Sequence, residues 1–119
     1  MKTIFVIDDS DTNLSMAESV LEEQYRVMTM PSAEKMFSLL DKVVPDLILL
    51  DIEMPDMTGL EAYEKLKENP QWKDILVIFL TGHEEGAVLS KARESGAVDV
   101  IQKPIVASVL LNCVKKHCS

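Results

Sequence analysis

The sequence predicts an α/β fold, a doubly wound parallel sheet of five strands with five helices on both faces. Short apolar runs alternate along the chain with segments whose apolar residues recur at helical spacing. Continuous apolar runs are typical of strands that are buried on both faces of a parallel sheet. Five successive strand and helix units therefore favour a doubly wound arrangement.

Five segments are predicted to be strands. Residues 4–7, 47–50 and 76–80 are continuous apolar runs. Residues 25–30 mix polar and apolar side chains, as an edge strand does, and residues 98–101 are a short fifth strand.

The segments between the strands have the apolar period of helices. The predicted buried faces are Leu14, Ala17 and Leu21 in the first helix, Met36, Leu39, Leu40 and Val43 in the second, and Val106, Val109, Leu110, Cys113 and Val114 in the fifth. Thr58 and Glu61 have the spacing of a capping box, and Ser32 is a candidate N-cap. The third helix is predicted to end at residues 69–70, and the fourth to span residues 84–95.

Composition limits the classes of function. The 119 residues predict a single domain over residues 1–119, with no output domain, and 47% of them are apolar. Twelve basic and twenty acidic residues give a net charge of −8, which disfavours nucleic acid or an anionic membrane as a direct partner. No apolar run approaches the ~20 residues that span a bilayer, and no secretory signal is present. Cys113 and Cys118 fit neither a zinc pattern nor a redox motif, so we expect free thiols in a cytoplasmic protein.

Polar residues follow the predicted strands. Asp8 and Asp9 come after the first strand, Asp51 after the third, Thr81 after the fourth and Lys103 after the fifth. Ligands of such sheets bind beyond the carboxyl ends of the strands, so these side chains are expected to converge. Clustered carboxylates repel one another unless a cation joins them, and Mg²⁺ suits carboxylates and phosphate oxygens. With a hydroxyl and an ammonium to hold phosphoryl oxygens, the site suits phosphoryl transfer to an aspartate.

Four motifs carry a resemblance to a known family. They are the acidic pair Asp8-Asp9, the segment DIEMPDMTG at residues 51–59, FLTG at 79–82 and IQKPI at 101–105. In this order and at these spacings, they make the chain similar, along its whole length, to the CheY-like receiver domains of response regulators. The resemblance implies the flavodoxin-like strand order 2-1-3-4-5.

The resemblance also implies the roles of the metal-binding residues. Asp51 resembles the phospho-acceptor, and Asp9 resembles a direct ligand of Mg²⁺. Asp8 would act mainly through a metal-bound water, and the backbone carbonyl of Glu53 would complete the protein ligands.

By the same resemblance, Thr81 and Lys103 would bind the phosphoryl oxygens, and the Lys103-Pro104 peptide would be cis. The implied donor is a phosphohistidine on a sensor histidine kinase or a histidine phosphotransfer protein, and the implied recipient of the signal is a downstream target or output domain. The chain is then a switch that assists its own phosphotransfer and dephosphorylation, rather than an enzyme.

Two other classes compete with this interpretation. Asp9-Ser10-Asp11-Thr12-Asn13 partly resembles the motif of haloacid-dehalogenase-type phosphatases, with Asn13 in place of Thr or Val, which would make Asp9 the nucleophile. That class is disfavoured, because the chain has no room for its cap and the Asp8-Asp9 pair is unexplained on that view. A pseudo-receiver that only binds protein is a third class, and absence of Mg²⁺ binding would favour it. Asp11 is predicted to cap the first helix.

Val100 departs from the family, which commonly has Tyr or Phe three residues before the Lys-Pro pair. A stiff β-branched side chain has no ring to swing inward. We therefore expect phosphorylation to reorder residues 82–90 with little rotamer change at Val100. His83 is interpreted as the start of the fourth helix, and His117 as a favourable group at the negative end of the fifth.

Overall fold

The computed structural model describes residues 1–82 and 87–119, with the backbone alone for residues 87–89. Its strands are β1 (Thr3–Ile7), β2 (Arg26–Met30), β3 (Leu47–Asp51), β4 (Leu76–Thr81) and β5 (Asp99–Gln102). Its helices are α1 (Asp11–Leu21), α2 (Ala33–Leu40), α3 (Gly59–Glu68), α4 (Ala87–Glu94) and α5 (Ala107–His117). Each predicted strand is present. The predicted start of α4 and the interpretation of His83 lie outside the described residues.

The strands form one parallel sheet in the order β2-β1-β3-β4-β5. The predicted doubly wound fold and its strand order are confirmed, and β2 lies at an edge as its mixed sequence predicts. The chain reverses its direction of winding between β1 and β3, because β2 and β3 lie on opposite sides of β1. Sheets of this kind bind ligands at that reversal.

Two apolar layers enclose the sheet, because successive side chains of a strand point to opposite faces. Phe5 and Ile7 belong to a core that includes side chains of α2 and α3. Ile4 and Val6 belong to a second core, with side chains of α1 and α5. Since both faces are covered, β1 and β3 are apolar at almost every position. None of the described helices is both long enough and apolar enough to cross a membrane.

The helix caps follow the sequence in two cases of three. Ser32 and Thr58 are the N-caps of α2 and α3, and Thr58 forms the predicted capping box with Glu61. The prediction that Asp11 caps α1 is wrong. Ser10 is the N-cap, and its side chain accepts a hydrogen bond from the Asn13 N–H at 3.3 Å, which makes Asp11 the first residue of the helix.

The predicted buried face of α5 is too wide. Leu110 and Val114 are buried, whereas Val106 and Val109 are 53% and 51% exposed. Val106 is the N-cap position, so it precedes the helical turns that set the direction of a side chain. Apolar character alone did not separate the buried residues of α5 from the exposed ones.

Candidate functional site

The candidate site lies at the carboxyl ends of β1, β3, β4 and β5. Asp8 directly follows β1, Asp51 and Thr81 are the last residues of β3 and β4, and Lys103 directly follows β5. The parallel pairing extends past the strands, since the Lys103 N–H donates to the Thr81 carbonyl at 2.7 Å. The strand register therefore brings residues far apart in the sequence to one edge, as predicted.

Close packing of α3 fixes the backbone at the end of β3. Gly59 begins α3, and its N–H donates to the Ile52 carbonyl at 2.9 Å. A Cβ atom at Gly59 would overlap the backbone of Asp51 and Ile52, so only glycine fits. The glycine of the DIEMPDMTG motif thus lets the helix start directly against the candidate acceptor.

Lys103 joins two carboxylates that are fully buried. Its Nζ atom lies 2.9 Å from Asp51 Oδ1 and 3.1 Å from Asp8 Oδ2. Both aspartates are 0% exposed, while the Lys103 side chain keeps 20% of its exposure. A buried carboxylate without a partner is costly, so the ammonium is the main source of compensation here.

Backbone and amide groups orient the two aspartates. Asp8 Oδ1 accepts from the Ser10 N–H at 2.9 Å, and Asp8 Oδ2 accepts from the Asn13 side chain at 3.2 Å. Asp51 Oδ1 accepts from the Glu53 N–H at 3.2 Å. Asp51 Oδ2 is buried and makes no hydrogen bond within the described part of the chain. One oxygen of Asp51 is therefore anchored, and the other has its lone pairs unused.

The electrostatics of the site follow from burial. Burial, and then the charges of Asp8 and Glu53, raise the pKa of Asp51 from 3.8 to about 7, although Lys103 opposes the shift. Burial alone would lower the pKa of Lys103, but its contacts with Asp51 and Asp8 outweigh it and raise that pKa. The site holds more negative charge than one ammonium can balance.

Three carboxylates of the site are close enough to share a cation. Oxygen atoms of Asp8, Asp9 and Asp51 lie within 4.8 Å of one another, and Asp9 is exposed. Oxygen ligands and an excess of negative charge suit a hard divalent ion. The buried Asp51 Oδ2, which has no hydrogen-bond partner within the described part of the chain, adds to that excess of negative charge. The residues present therefore fit Mg²⁺.

Glu53 has a contact that the sequence did not predict. Its carboxylate accepts from the Thr81 hydroxyl, at 3.1 Å to Oε2 and 3.2 Å to Oε1, and from the Gly82 N–H at 2.7 Å. The sequence interpretation used only the backbone carbonyl of Glu53 as a ligand. No signal in the sequence shows that its side chain reaches β4.

One other feature of the site agrees with the resemblance. The Lys103-Pro104 peptide is cis. Ser10 and Asn13 were missed as site residues; the Ser10 backbone N–H and the Asn13 side-chain amide donate to Asp8. Ser10 directly follows the acidic pair, Asn13 lies four residues beyond it, and side chains of both types often form hydrogen bonds in helix caps.

Comparison with known proteins agrees with this geometry. Residues 4–115 match the family model of the response regulator receiver domain. A probable cyclic di-GMP phosphodiesterase of Vibrio cholerae is 36% identical over 115 residues, which are 97% of this chain and 26% of that protein. The response regulator PleD of Caulobacter vibrioides is 35% identical over 86% of this chain and 23% of PleD. The chain thus spans about a quarter of the length of these two relatives.

Solved structures agree as well. A receiver domain of a signal transduction histidine kinase from Syntrophus aciditrophicus is 32% identical, with a TM-score of 0.89 over 98% of this chain and 89% of that one. The chemotaxis protein CheY4 of Vibrio cholerae has a TM-score of 0.90 over 98% of each chain at 24% identity, which supports the fold. This chain therefore belongs to the response regulator receiver domains, the signalling switches of two-component systems.

Proposed function

We propose that this receiver domain accepts a phosphoryl group on Asp51 from a phosphohistidine, with Mg²⁺ bound at Asp8, Asp9, Asp51 and the backbone carbonyl of Glu53. The observation that supports it most is the contact of Lys103 with both Asp8 and Asp51 beside the exposed Asp9. The donor would be a sensor histidine kinase or a histidine phosphotransfer protein. The signal would pass to a downstream target or output domain.

Asp51 Oδ2 is the proposed nucleophile. Lys103 and the Glu53 N–H hold Oδ1, so Oδ2 keeps its lone pairs for the phosphorus atom. The bond from Oδ2 to phosphorus forms, and the bond from phosphorus to the donor imidazole nitrogen breaks. The electron pair of that bond returns to the nitrogen, and the phosphoryl charge stays on the new acyl phosphate.

Positive charge around the phosphoryl oxygens supplies the catalysis. Mg²⁺, when bound, would neutralise charge on those oxygens. Lys103 would pair with another of them, because it already lies 2.9 Å from the acceptor carboxylate. Thr81 would donate its hydroxyl, which requires that the hydroxyl leave the Glu53 carboxylate. Water would later hydrolyse the acyl phosphate and reset the switch.

The test is the intact mass of the chain after incubation with a small-molecule phosphodonor and Mg²⁺. We expect one added phosphoryl group on the wild type and none on Asp51→Asn, because an amide is not a nucleophile here. Asp56→Asn is the matched control, since Asp56 is exposed in the turn after β3 and should still be modified. A phosphorylated Asp51→Asn chain would contradict the proposal.

Two further variants separate the alternatives. Modification that survives Asp51→Asn and is lost in Asp9→Asn would favour the dehalogenase-type mechanism. Asp9→Ala should weaken Mg²⁺ binding, measured by titration calorimetry, and should slow phosphorylation while the domain stays folded. A folded wild-type chain that binds no Mg²⁺ and takes up no phosphoryl group would instead be a pseudo-receiver.

A further inference from the structure

A second group of potential ligand side chains lies at the opposite end of β5 from Lys103. Asp99 is the first residue of β5, and Cys113 and His117 lie on α5. The two α5 residues are four apart, so they lie on the same side of the helix. Potential ligand atoms of the three side chains lie within 4.8 Å of one another. At about 3.3 Å per residue, Asp99 lies roughly 13 Å along the strand from Lys103.

The carboxylate of Asp99 is already oriented toward the other two side chains. Its Oδ1 atom accepts from the Val100 N–H at 2.9 Å, which fixes the plane of the carboxylate. Its Oδ2 atom lies 3.0 Å from His117 Nε2 and 3.4 Å from Cys113 Sγ. An oxygen, a nitrogen and a sulfur atom therefore converge on one point, and each can lose a proton or already lacks one.

These separations are close to those around a tetrahedral zinc ion. Zinc bonds of about 2.1 Å to oxygen and nitrogen and about 2.3 Å to sulfur place oxygen and nitrogen about 3.4 Å apart, and oxygen and sulfur about 3.6 Å apart. The observed distances of 3.0 and 3.4 Å are shorter by only a few tenths of an ångström. A small outward movement of the side chains would admit the ion.

We propose that Asp99, Cys113 and His117 form a binding site for Zn²⁺, distinct from the carboxylate site at the other end of β5. Thiolate and imidazole are ligands that select zinc over magnesium, because they are softer than carboxylate oxygens. The Asp99 and His117 side chains are 35% and 19% exposed, which gives the ion a path from solvent and leaves room for a water as fourth ligand.

Binding would exchange a proton for the metal. Burial and the neighbouring Asp99 raise the pKa of Cys113 to about 11, so the thiol is protonated at neutral pH. The sulfur to zinc bond forms as the S–H bond breaks, and the proton goes to solvent. His117 would bind through the Nε2 lone pair with its proton on Nδ1. The nearby Lys116 opposes a cation, which limits the affinity.

Cobalt is the probe that separates the two sites. Co²⁺ replaces Zn²⁺ in such sites, and a thiolate ligand gives it a near-ultraviolet charge-transfer band that oxygen ligands do not give. The full chain, reduced and in excess Mg²⁺ to fill the carboxylate site, should develop this band to saturation at one Co²⁺ per chain. One equivalent of Zn²⁺ should abolish the band.

The variants decide the assignment. Cys113→Ser should lose the band, and His117→Gln should weaken Co²⁺ binding at least tenfold, with the helical circular dichroism of both unchanged. Cys118→Ser is the matched control and should keep the band, because Cys118 does not belong to the group. Zn²⁺ should also raise the melting temperature of the wild type and leave that of Cys113→Ser unchanged.

Three results would overturn the proposal. They are a wild-type chain without the band, a band that survives Cys113→Ser, and an equal effect of Zn²⁺ on both melting temperatures. None of these measurements depends on phosphorylation of Asp51, so this inference and the proposed function stand or fall separately.

Discussion

At each end of β5, a side-chain nitrogen contacts a carboxylate, but the two contacts differ in burial. At the carboxyl end, Lys103 contacts Asp8 and Asp51, which are both 0% exposed. At the amino end, His117 contacts Asp99, whose side chain is 35% exposed. The distances are alike, at 2.9 to 3.1 Å. Burial, rather than the contact distance, therefore decides how much each pair contributes to stability.

The pKa shifts of Asp51 and Asp99 have opposite directions, because the two carboxylates differ in burial. Burial dominates at Asp51 and raises its pKa to about 7. Burial also raises the pKa of Asp99, but the hydrogen bonds from His117 and the Val100 N–H outweigh it, so the net shift is downward. The surroundings of Asp51 therefore disfavour its charged form, whereas those of Asp99 stabilise its charged form.

Removing the side chain that contacts the carboxylates at each end gives the largest contrast. Without divalent metal, Lys103→Met should lower the free energy of unfolding by about 3 kcal/mol, because two buried carboxylates lose their partner. His117→Gln should lower it by about 1 kcal/mol or less, since its pair is partly exposed. Urea denaturation in a chelator measures both, with the exposed Lys42→Met as a control. Equal losses from the two variants would refute the role of burial.

A smaller effect is expected from crowding the carboxyl end. Gly59→Ala should destabilise the domain by about 2 kcal/mol, because the new methyl group would press on the backbone of Asp51. Under the proposed function, it should also slow phosphorylation by displacing Asp51. Gly82→Ala is the control, since among the described residues a Cβ there meets only the Glu53 carboxylate, at 3.6 Å. Unchanged stability and phosphorylation in Gly59→Ala would show that α3 does not fix the acceptor.

The pH dependence of stability should have opposite slopes at the two ends. The raised pKa of Asp51 means that the folded chain holds its proton when the unfolded chain has lost it. Its contribution should therefore lower stability as pH rises from about 4 to about 7. The lowered pKa of Asp99 stabilises the fold above its ordinary value of 3.8, and that stability is lost as the pH falls through the folded pKa.

Denaturation at several pH values, in a chelator, measures these slopes. Asp51→Asn should reduce the change in the free energy of unfolding between pH 4 and 7 and leave its fall below pH 4 unchanged. Asp99→Asn should reduce only the fall below pH 4. If the wild-type stability rises from pH 4 to 7 and Asp51→Asn does not change this, then the folded chain does not disfavour the charged form of Asp51.

The fold and the carboxyl-end site were largely predictable from the sequence. Apolar runs revealed the strands, and the residues after each strand revealed Asp8, Asp51, Thr81 and Lys103, because a parallel sheet brings its strand ends together. The contact of the Glu53 carboxylate with β4 was not predictable, since it depends on the direction of one side chain. The prediction that phosphorylation reorders residues 82–90 stays a prediction, since residues 83–86 lie outside the described part of the chain.

The amino-end group escaped prediction for a different reason. Asp99 and His117 are eighteen residues apart, and His117 has a simpler explanation at the end of a helix. Cys113 has an apolar role in the pattern of α5 and was assigned to it. Only the packing of α5 against β5 brings the three side chains together, and no local spacing records that packing.

Before any phosphorylation, the end of β4 and the residue that follows it already bind an anion, the Glu53 carboxylate. The Thr81 hydroxyl and the Gly82 N–H both donate to it. Under the proposed function, phosphorylation then replaces one anionic ligand with another at the Thr81 hydroxyl. In the unphosphorylated chain, the Glu53 carboxylate already occupies the Thr81 hydroxyl. Under the proposed function, the transferred phosphoryl group then competes with Glu53 for this donor. The equilibrium between the two states depends on the difference between the affinities of Thr81 for the phosphoryl group and for Glu53. A substitution of Glu53 should therefore shift this equilibrium while Asp51 is unchanged.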